Sequence, residues 1–358
     1  MSRRVSGFVG QPACGRDGAR ASALTYLCLV LLCAVGFGGS VASAALPPPV
    51  DPPDAAGVLR LAGAAELRPL VARWQAAFQK KNPAARFELQ LTGSDVAIAA
   101  LTTRRADIAL LGREFAAQEG KAFEWIYRAK PAAIEIATGS LGVPGRSPAL
   151  VVFVHRDNPL TQITLAQLDA AFGNERLRGA SAVIRTWGAL GLGGAWRDRP
   201  IHLYAPDTED GTGRFFRSAV LNDSRLLAWE NLREFSDTKP NPKTHTVTHD
   251  AAKKILAALA ADPLGLAVAG AAPDDLRVKS LAVGGVAATR ETVIARTYPL
   301  SRPIYAYVNR AADAPLALKV REFLAYVLST EGQAEIARAG DYLPLSETNA
   351  RKQRASLD

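Results

Sequence analysis

The fold is decided by the stretch TGSDVAIAALTTRRADIALLGREF, residues 92–115. A polar turn opens a short helix, predicted over residues 95–103, and an apolar strand follows over residues 107–111. A strand, a helix and a second strand precede it, over residues 58–62, 66–80 and 87–91. This β-α-β-α-β order predicts a parallel sheet with helices packed on both of its faces.

Three polar turns each end a strand and open a helix. They are LAGAAELRPL from Leu61, LTGSDVAIAAL from Leu91 and TEDGTGRFF from Thr208. The first N–H groups of a helix have no partner within the helix and attract anions or polar ligand atoms. In parallel sheets, ligands bind at the carboxyl ends of the strands, where the first two turns are expected. Because no catalytic motif accompanies the turns, they predict a binding cleft rather than a reaction site.

The first 44 residues have the features of a Sec-type signal peptide. Four arginines precede and flank the start of an apolar run over residues 21–37, and ASA at residues 42–44 supplies the small-residue cleavage pattern. The run is roughly 17 residues long, at the short limit for a membrane anchor, which favours cleavage. The sequence therefore predicts a periplasmic protein. A proline-rich linker is predicted at residues 45–57 and a loose polar tail at residues 346–358.

All three cysteines, Cys14, Cys28 and Cys33, fall inside the predicted signal peptide. The mature chain then has no disulfide framework, no thiolate nucleophile and no cysteine metal site. The formal net charge is +9, with lysines and arginines scattered among acidic residues. Because no basic stripe is interleaved with aromatic residues, no nucleic-acid partner is expected.

Two enzyme classes were weighed against a binding protein. His245 and His249 are four residues apart and Asp250 follows, which on a helix would place both imidazoles on one face as metal ligands. The residues between them are TVT, β-branched and poorly suited to a helix, and no third ligand is nearby. A serine hydrolase would need a nucleophile motif such as GxSxG, which the sequence lacks. The sequence therefore predicts no catalytic residues, no metal and no cofactor.

Further segments follow the opening stretch in a recognisable order. They are VVFVHRDNPLTQITLAQLDAAFG (151–173), TWGALG (186–191), DGTGRFF (210–216), YPLSRPIYAYV (298–308) and EFLAYVLSTEGQAEIARAGDYLPL (322–345). Together with residues 92–115, this series resembles the periplasmic phosphate-binding protein family of ABC importers. Each motif alone is weak, but six in order are fairly specific for the fold.

The resemblance implies an α/β, two-lobed type II periplasmic-binding-protein fold. Each lobe would be a mostly parallel sheet flanked by helices, and hinge strands would join the lobes. The first lobe would comprise residues 58–150 and 297–345, and the second residues 151–296. The implied function is to bind phosphate or a similar small oxyanion in the cleft between the lobes and to deliver it, as a monomer, to the permease subunits of an ABC importer.

The family's ligand residues carry over to seven positions: Ala65, Gly93, Ser94, Arg113, Asp210, Gly211 and Thr212. Ser94 and Thr212 would offer hydroxyl groups, or would only cap their helices. Arg113 would bind an oxyanion through its planar fork, or would pair with Glu114 or Glu119. Gly93 and Gly211 would allow close backbone approach.

Other positions depart from the family pattern. Glu66 and two alanines stand where the first turn should have a small hydroxyl residue, and Gly112 replaces a serine. Asp210 replaces another serine, so it would face an anion unless Arg113 or Arg214 neutralises it or its carboxylate turns back to cap its own helix. These changes remove donors and add acceptors, which favours a ligand with its own donors, such as an amine-bearing or hydroxylated solute. They also leave open a secreted sensor or adaptor that keeps the fold with a different ligand or none.

Overall fold

The computed structural model describes residues 57–239, 247–271, 275–310 and 315–358. The predicted signal peptide with its three cysteines, residues 45–56 of the linker, and His245 all lie outside the described residues. In the described part of the chain, two β-sheets are flanked by helices, which confirms the predicted α/β fold class.

The strands and helices are numbered here in chain order. The strands are β1 Val58–Gly63, β2 Arg86–Leu91, β3 Ile108–Leu111, β4 Ala132–Thr138, β5 Val151–His155, β6 Gln162–Ile163, β7 His202–Pro206, β8 Leu232–Phe235, β9 Gly265–Ala269, β10 Val278–Val283 and β11 Pro303–Val308. The helices are α1 Arg68–Lys81, α2 Ala97–Thr102, α3 Ala117–Tyr127, α4 Leu165–Phe172, α5 Gly211–Leu221, α6 Ala251–Ala260, α7 Arg290–Ile294, α8 Leu318–Val327, α9 Thr330–Ala339 and α10 Glu347–Ala355. Within the described ranges, no helix combines the length and the apolar character that crossing a bilayer requires.

The first sheet has the strand order β2-β1-β3-β11-β4. β1 pairs in parallel with β2 and β3, as the β-α-β-α-β pattern predicts. β11, from near the end of the chain, runs antiparallel to both β3 and β4. Parallel and antiparallel pairs are therefore evenly divided in this sheet, whereas a mostly parallel sheet was expected. Helix α1 buries Leu70, Trp74 and Phe78 on one face against this sheet and tolerates Pro69 in its first turn.

The second sheet has the order β6-β10-β5-β9-β7-β8. β5 runs antiparallel to β9 and β10, and β7 runs parallel to β8 and β9. Strands β5 and β9 are buried along their whole length, which explains why both read as continuous apolar runs without alternation.

Two chain segments cross side by side between the sheets. The first follows β4 and leads into β5, and the second leads into β11. The N–H of Gly139 donates to the carbonyl of Arg302 at 2.6 Å, and the N–H of Leu150 donates to the carbonyl of Leu300 at 3.1 Å. These bonds hold the crossing segments together, so a movement of one sheet relative to the other bends both at once.

Two regions are more ordered than the sequence suggested. Residues 173–200 contain several glycines, yet Trp187 within them is fully buried and packs edge-to-face on Trp196. The expectation of a loose tail at residues 346–358 is wrong, because α10 spans most of it. The Ser346 hydroxyl caps this helix, and Leu357 is buried in the core of the first sheet. Together with the buried Ala350, this leucine anchors an otherwise polar segment.

Candidate ligand-binding cleft

A cavity of about 940 Å³ lies where the two sheets and the crossing segments meet. The first lobe contributes Glu66, directly after β1, and the crossing segments contribute residues 142–148 and Arg302. The second lobe contributes residues 210–212 at the start of α5, together with residues around the start of α6. Three of the predicted ligand residues, Asp210, Gly211 and Thr212, therefore face the same space.

Asp210 caps helix α5. Its Oδ1 accepts hydrogen bonds from the N–H groups of Thr212 at 2.8 Å and Gly213 at 2.7 Å. Burial raises the pKa of the Asp210 carboxyl, and these two hydrogen bonds oppose the rise. The geometry supports the capping alternative and means that two N–H groups at this helix start are already bound within the chain.

The hydroxyl groups of Ser94 and Thr212 are not used as helix caps. Among the described residues, neither hydroxyl has a hydrogen-bond partner. Thr212 lines the cavity, so its hydroxyl is available to a ligand there. Neither Gly93 nor Ser94 is among the described residues that line the cavity, and Ala65 is exposed beside Glu66.

Arg113 is engaged in a buried ion pair. Its Nη1 and Nη2 donate to the two carboxylate oxygens of Glu119 at 2.9 and 3.0 Å, and Nη1 also donates to the carbonyl of Glu114. Burial alone would lower the pKa of Arg113, but the bonds to Glu119 raise it above its ordinary value. Arg113 lines a different cavity, of about 850 Å³. This geometry fits the salt-bridge alternative, and its role as a ligand residue stays a prediction.

Arg302 is the cation in the cleft that sequence reasoning missed. It is only 3% exposed, it precedes β11, and its guanidinium lies 5.1 Å from the ring centre of Phe215. Nε donates to the carbonyl of Gly112 in the first lobe, and Nη2 donates to the carbonyl of Gly211 in the second at 3.0 Å. No described residue accepts a hydrogen bond from Nη1. The only sequence signal was a charged residue that interrupts the apolar segment YPLSRPIYAYV.

The Arg302 guanidinium has two acidic neighbours. Burial lowers the pKa of Arg302 to about 10, while the charges of Glu66 and Asp210 oppose this effect. At neutral pH the group is therefore positively charged. A buried guanidinium with one unused donor nitrogen at the junction of two lobes can bind an oxyanion.

Ser147 replaces the hydroxyl group that is missing at position 112. A Cβ atom added to Gly112 would lie 2.1 Å from the Ser147 Oγ, so the glycine leaves the space that this hydroxyl fills. Ser147 is 1% exposed, and its Oγ donates to Oε1 of Glu66 at 3.2 Å. A residue 35 positions away along the chain thus returns a hydroxyl to the same place.

An ion pair also joins the two lobes beside the cleft. Oδ1 of Asp95 lies 2.9 Å from Nη1 of Arg214 and 3.7 Å from Nη2 of Arg113. Asp95 belongs to the turn after β2, and Arg214 belongs to α5. Arg214 is therefore paired with Asp95 and not with Asp210.

The two histidines that the sequence offers as metal ligands are His245 and His249. His245 lies outside the described residues, and Nδ1 of His249 lies 2.7 Å from Oδ2 of Asp237. Within the ranges that the structure describes, no group of three metal-ligating side chains comes together.

Comparisons with known proteins agree with this architecture. A family model described as a PBP superfamily domain matches residues 50–331. The phosphate-binding protein PstS of Pseudomonas aeruginosa is 30% identical over 341 residues, which cover 92% of this chain and 96% of that protein. The protein SphX of Synechococcus elongatus is 26% identical over 57% of this chain and 55% of its own length.

Two solved structures share the fold. PstS from Borrelia burgdorferi superposes with a TM-score of 0.56 at 16% identity, covering 81% of this chain and 99% of that one. An ABC-type phosphate transport receptor from Vibrio cholerae has a TM-score of 0.53 at 17% identity, covering 80% and 99% respectively. At such low identity these likenesses support the fold.

Proposed function

The chain belongs to the PBP superfamily, and from this premise we propose that it is the solute-binding protein of an ABC importer. It binds phosphate or a similar small oxyanion in the cleft between its two lobes. The observation that carries the proposal is the buried Arg302, whose side chain touches a carbonyl of each lobe and keeps Nη1 for a ligand. The Pseudomonas aeruginosa relative, named a phosphate-binding protein, supports the choice of ligand class.

Binding and closure follow from this geometry. An oxyanion held by Nη1 of Arg302, in the crossing segment that belongs to the first lobe, and by the Thr212 hydroxyl of the second lobe contacts both lobes together. A ligand that contacts both lobes favours the closed arrangement, which the permease subunits of the importer recognise. The protein acts in the periplasm after its signal peptide is cleaved, as a monomer that needs no cofactor and catalyses no reaction.

Calorimetry tests this function. The chain without residues 1–44 is unfolded, stripped of ligand, refolded and titrated with phosphate, arsenate, sulfate and molybdate. We expect at least one to bind more tightly than about 1 mM, a free energy near −4 kcal/mol. If none does, the transport function is refuted for these ligands.

A sensor or adaptor is the second candidate. The capping of α5 by Asp210 and the absence of a hydroxyl residue in the first turn favour it, because both weaken the site for a simple anion. Genes for permease and ATPase subunits next to this gene would support the importer, and a receptor gene in their place would support the sensor.

A further inference from the structure

Two carboxylates in the cleft have unused acceptor capacity. Glu66 receives one long bond, 3.2 Å from the Ser147 hydroxyl, and no other described side chain donates to its carboxylate. Asp210 accepts both of its hydrogen bonds at Oδ1, which leaves Oδ2 without a donor in the described part of the chain. Neither carboxylate forms an ion pair with Arg302 there.

The charges near Arg302 therefore do not suit a bare dianion. An inorganic oxyanion near Arg302 meets attraction at Nη1 and repulsion from Glu66 and Asp210. Most other charged side chains of the lining are paired within the chain: Arg146 with Asp341, Asp237 with His249 and Asp250 with Lys254, while Lys253 is exposed. The repulsion is stronger than in bulk water because both carboxylates are half-buried. Monohydrogen phosphate has one P–OH donor and can serve only one of the two carboxylates. A ligand that carries an oxyanion and an ammonium group has donors for both carboxylates and acceptors for Arg302.

The cavity is partly open to solvent and has room for more than an inorganic anion. Its volume is about 940 Å³, whereas a tetrahedral oxyanion occupies on the order of 100 Å³, the space of about three water molecules. Away from Arg302 the walls include the apolar side chains of Val143, Pro144, Leu256 and Ala271. These walls can accommodate a short carbon chain attached to the oxyanion.

Building on the proposed function, we propose that the preferred ligand is a small organic phosphate or phosphonate that carries a primary ammonium group. The phosphoryl oxygens accept hydrogen bonds from Nη1 of Arg302 and the Thr212 hydroxyl. The ammonium group donates to Glu66 and to Oδ2 of Asp210. The two carboxylates then select the ligand by its positive end, and Arg302 holds its negative end.

Two phosphonates of equal size test this inference by calorimetry. 2-Aminoethylphosphonate and propylphosphonate have the same number of non-hydrogen atoms and differ by an ammonium against a methyl group. We expect the amine to bind at least tenfold more tightly. Glu66→Gln should reduce this ratio to less than threefold. Glu114→Gln, which removes an exposed carboxylate outside this cavity, should preserve the ratio.

Equal binding of the two phosphonates by the unaltered protein would overturn the inference, and so would a ratio that persists in both Glu66→Gln and Asp210→Asn. Inorganic phosphate is titrated alongside them. If phosphate binds at least as tightly as the amine, the proposed function holds and this inference fails. If no oxyanion binds, both fail. The ratio measured on the unaltered protein does not depend on whether a variant folds.

Discussion

The carboxylate of Asp95 lies 2.9 Å from the guanidinium of Arg214, and this ion pair connects the turn after β2 in the first lobe with α5 in the second. Both side chains are substantially exposed, at 74% and 38%. Exposed pairs contribute at most about 1 kcal/mol and weaken in salt. The pair therefore biases the positions of the lobes without locking them.

Removing this pair should loosen the contact between the two lobes. We expect Asp95→Asn to increase the radius of gyration of the ligand-free protein in small-angle scattering and to weaken oxyanion binding by less than about fivefold. High salt should reproduce the effect in the unaltered protein. The exposed pair of Lys81 and Glu331 lies within the first lobe, so Glu331→Gln is the matched control. An unchanged scattering profile for Asp95→Asn would contradict the expectation.

Arg302 should be the main source of oxyanion affinity. Arg302→Gln removes the charge and the Nη1 donor, so binding should weaken by about 1.5–3 kcal/mol, or roughly 10- to 150-fold. Arg302→Lys keeps the charge but loses the planar fork, and it should recover only part of the affinity. Calorimetry at constant ionic strength measures both variants. Full affinity in Arg302→Gln would remove this residue from the site.

Arg113 should affect stability more than binding. Arg113→Gln leaves the Glu119 carboxylate partly buried without its partner, and such a loss costs about 3–5 kcal/mol of unfolding free energy. Denaturant titration measures this cost, and calorimetry measures the affinity of the folded variant. If the affinity falls tenfold while stability changes little, Arg113 is the ligand residue that the family resemblance predicts.

Asp210 should make oxyanion binding depend on pH. Burial raises the pKa of its carboxyl, so it gains a proton at a higher pH than an exposed aspartate and then no longer repels an anion. Sulfate keeps its charge through the mildly acidic range, so its affinity should rise as the pH falls towards this pKa. Asp210→Asn should bind sulfate more tightly at neutral pH and lose much of the pH dependence. Asp207→Asn, on the same turn, should keep it.

The space between positions 112 and 147 should accommodate one serine side chain but not two. Gly112→Ser restores the family's residue but places its Cβ against the Ser147 hydroxyl, so we expect a loss of about 1–3 kcal/mol of unfolding free energy. The double variant Gly112→Ser with Ser147→Gly removes the clash and should regain most of that loss. Thermal or denaturant unfolding measures both variants. Equal stability of Gly112→Ser and the unaltered chain would show that the space is not limiting.

The fold could be predicted because its signals are local. The alternating strands and helices and the ordered motifs each lie within short stretches of sequence. Caps are local as well: the Thr164 hydroxyl at the start of α4 accepts from the N–H of Gln167, three residues along the chain. Helix α10 was missed because a cap and contacts with distant residues stabilise it, and apolar periodicity does not.

The site was harder to predict because its key contacts connect distant parts of the chain. Arg302 meets Gly211 from 91 positions away, and Ser147 meets Gly112 from 35. Neither contact corresponds to a motif or spacing that can be recognised in the sequence. The partner of Arg113 was named among the alternatives because Glu119 is only six residues away, within reach of a local turn.

Arg302 grips one backbone carbonyl from each lobe, whereas the carboxylates that face the ligand belong to other elements. The side chain that joins the two lobes is thus distinct from the two carboxylates beside it. Substitutions at Glu66 or Asp210 can therefore change which solute binds while the contacts of Arg302 with both lobes remain. A chain organised in this way can acquire a new ligand through one or two substitutions in the cleft and keep the same arrangement of its lobes.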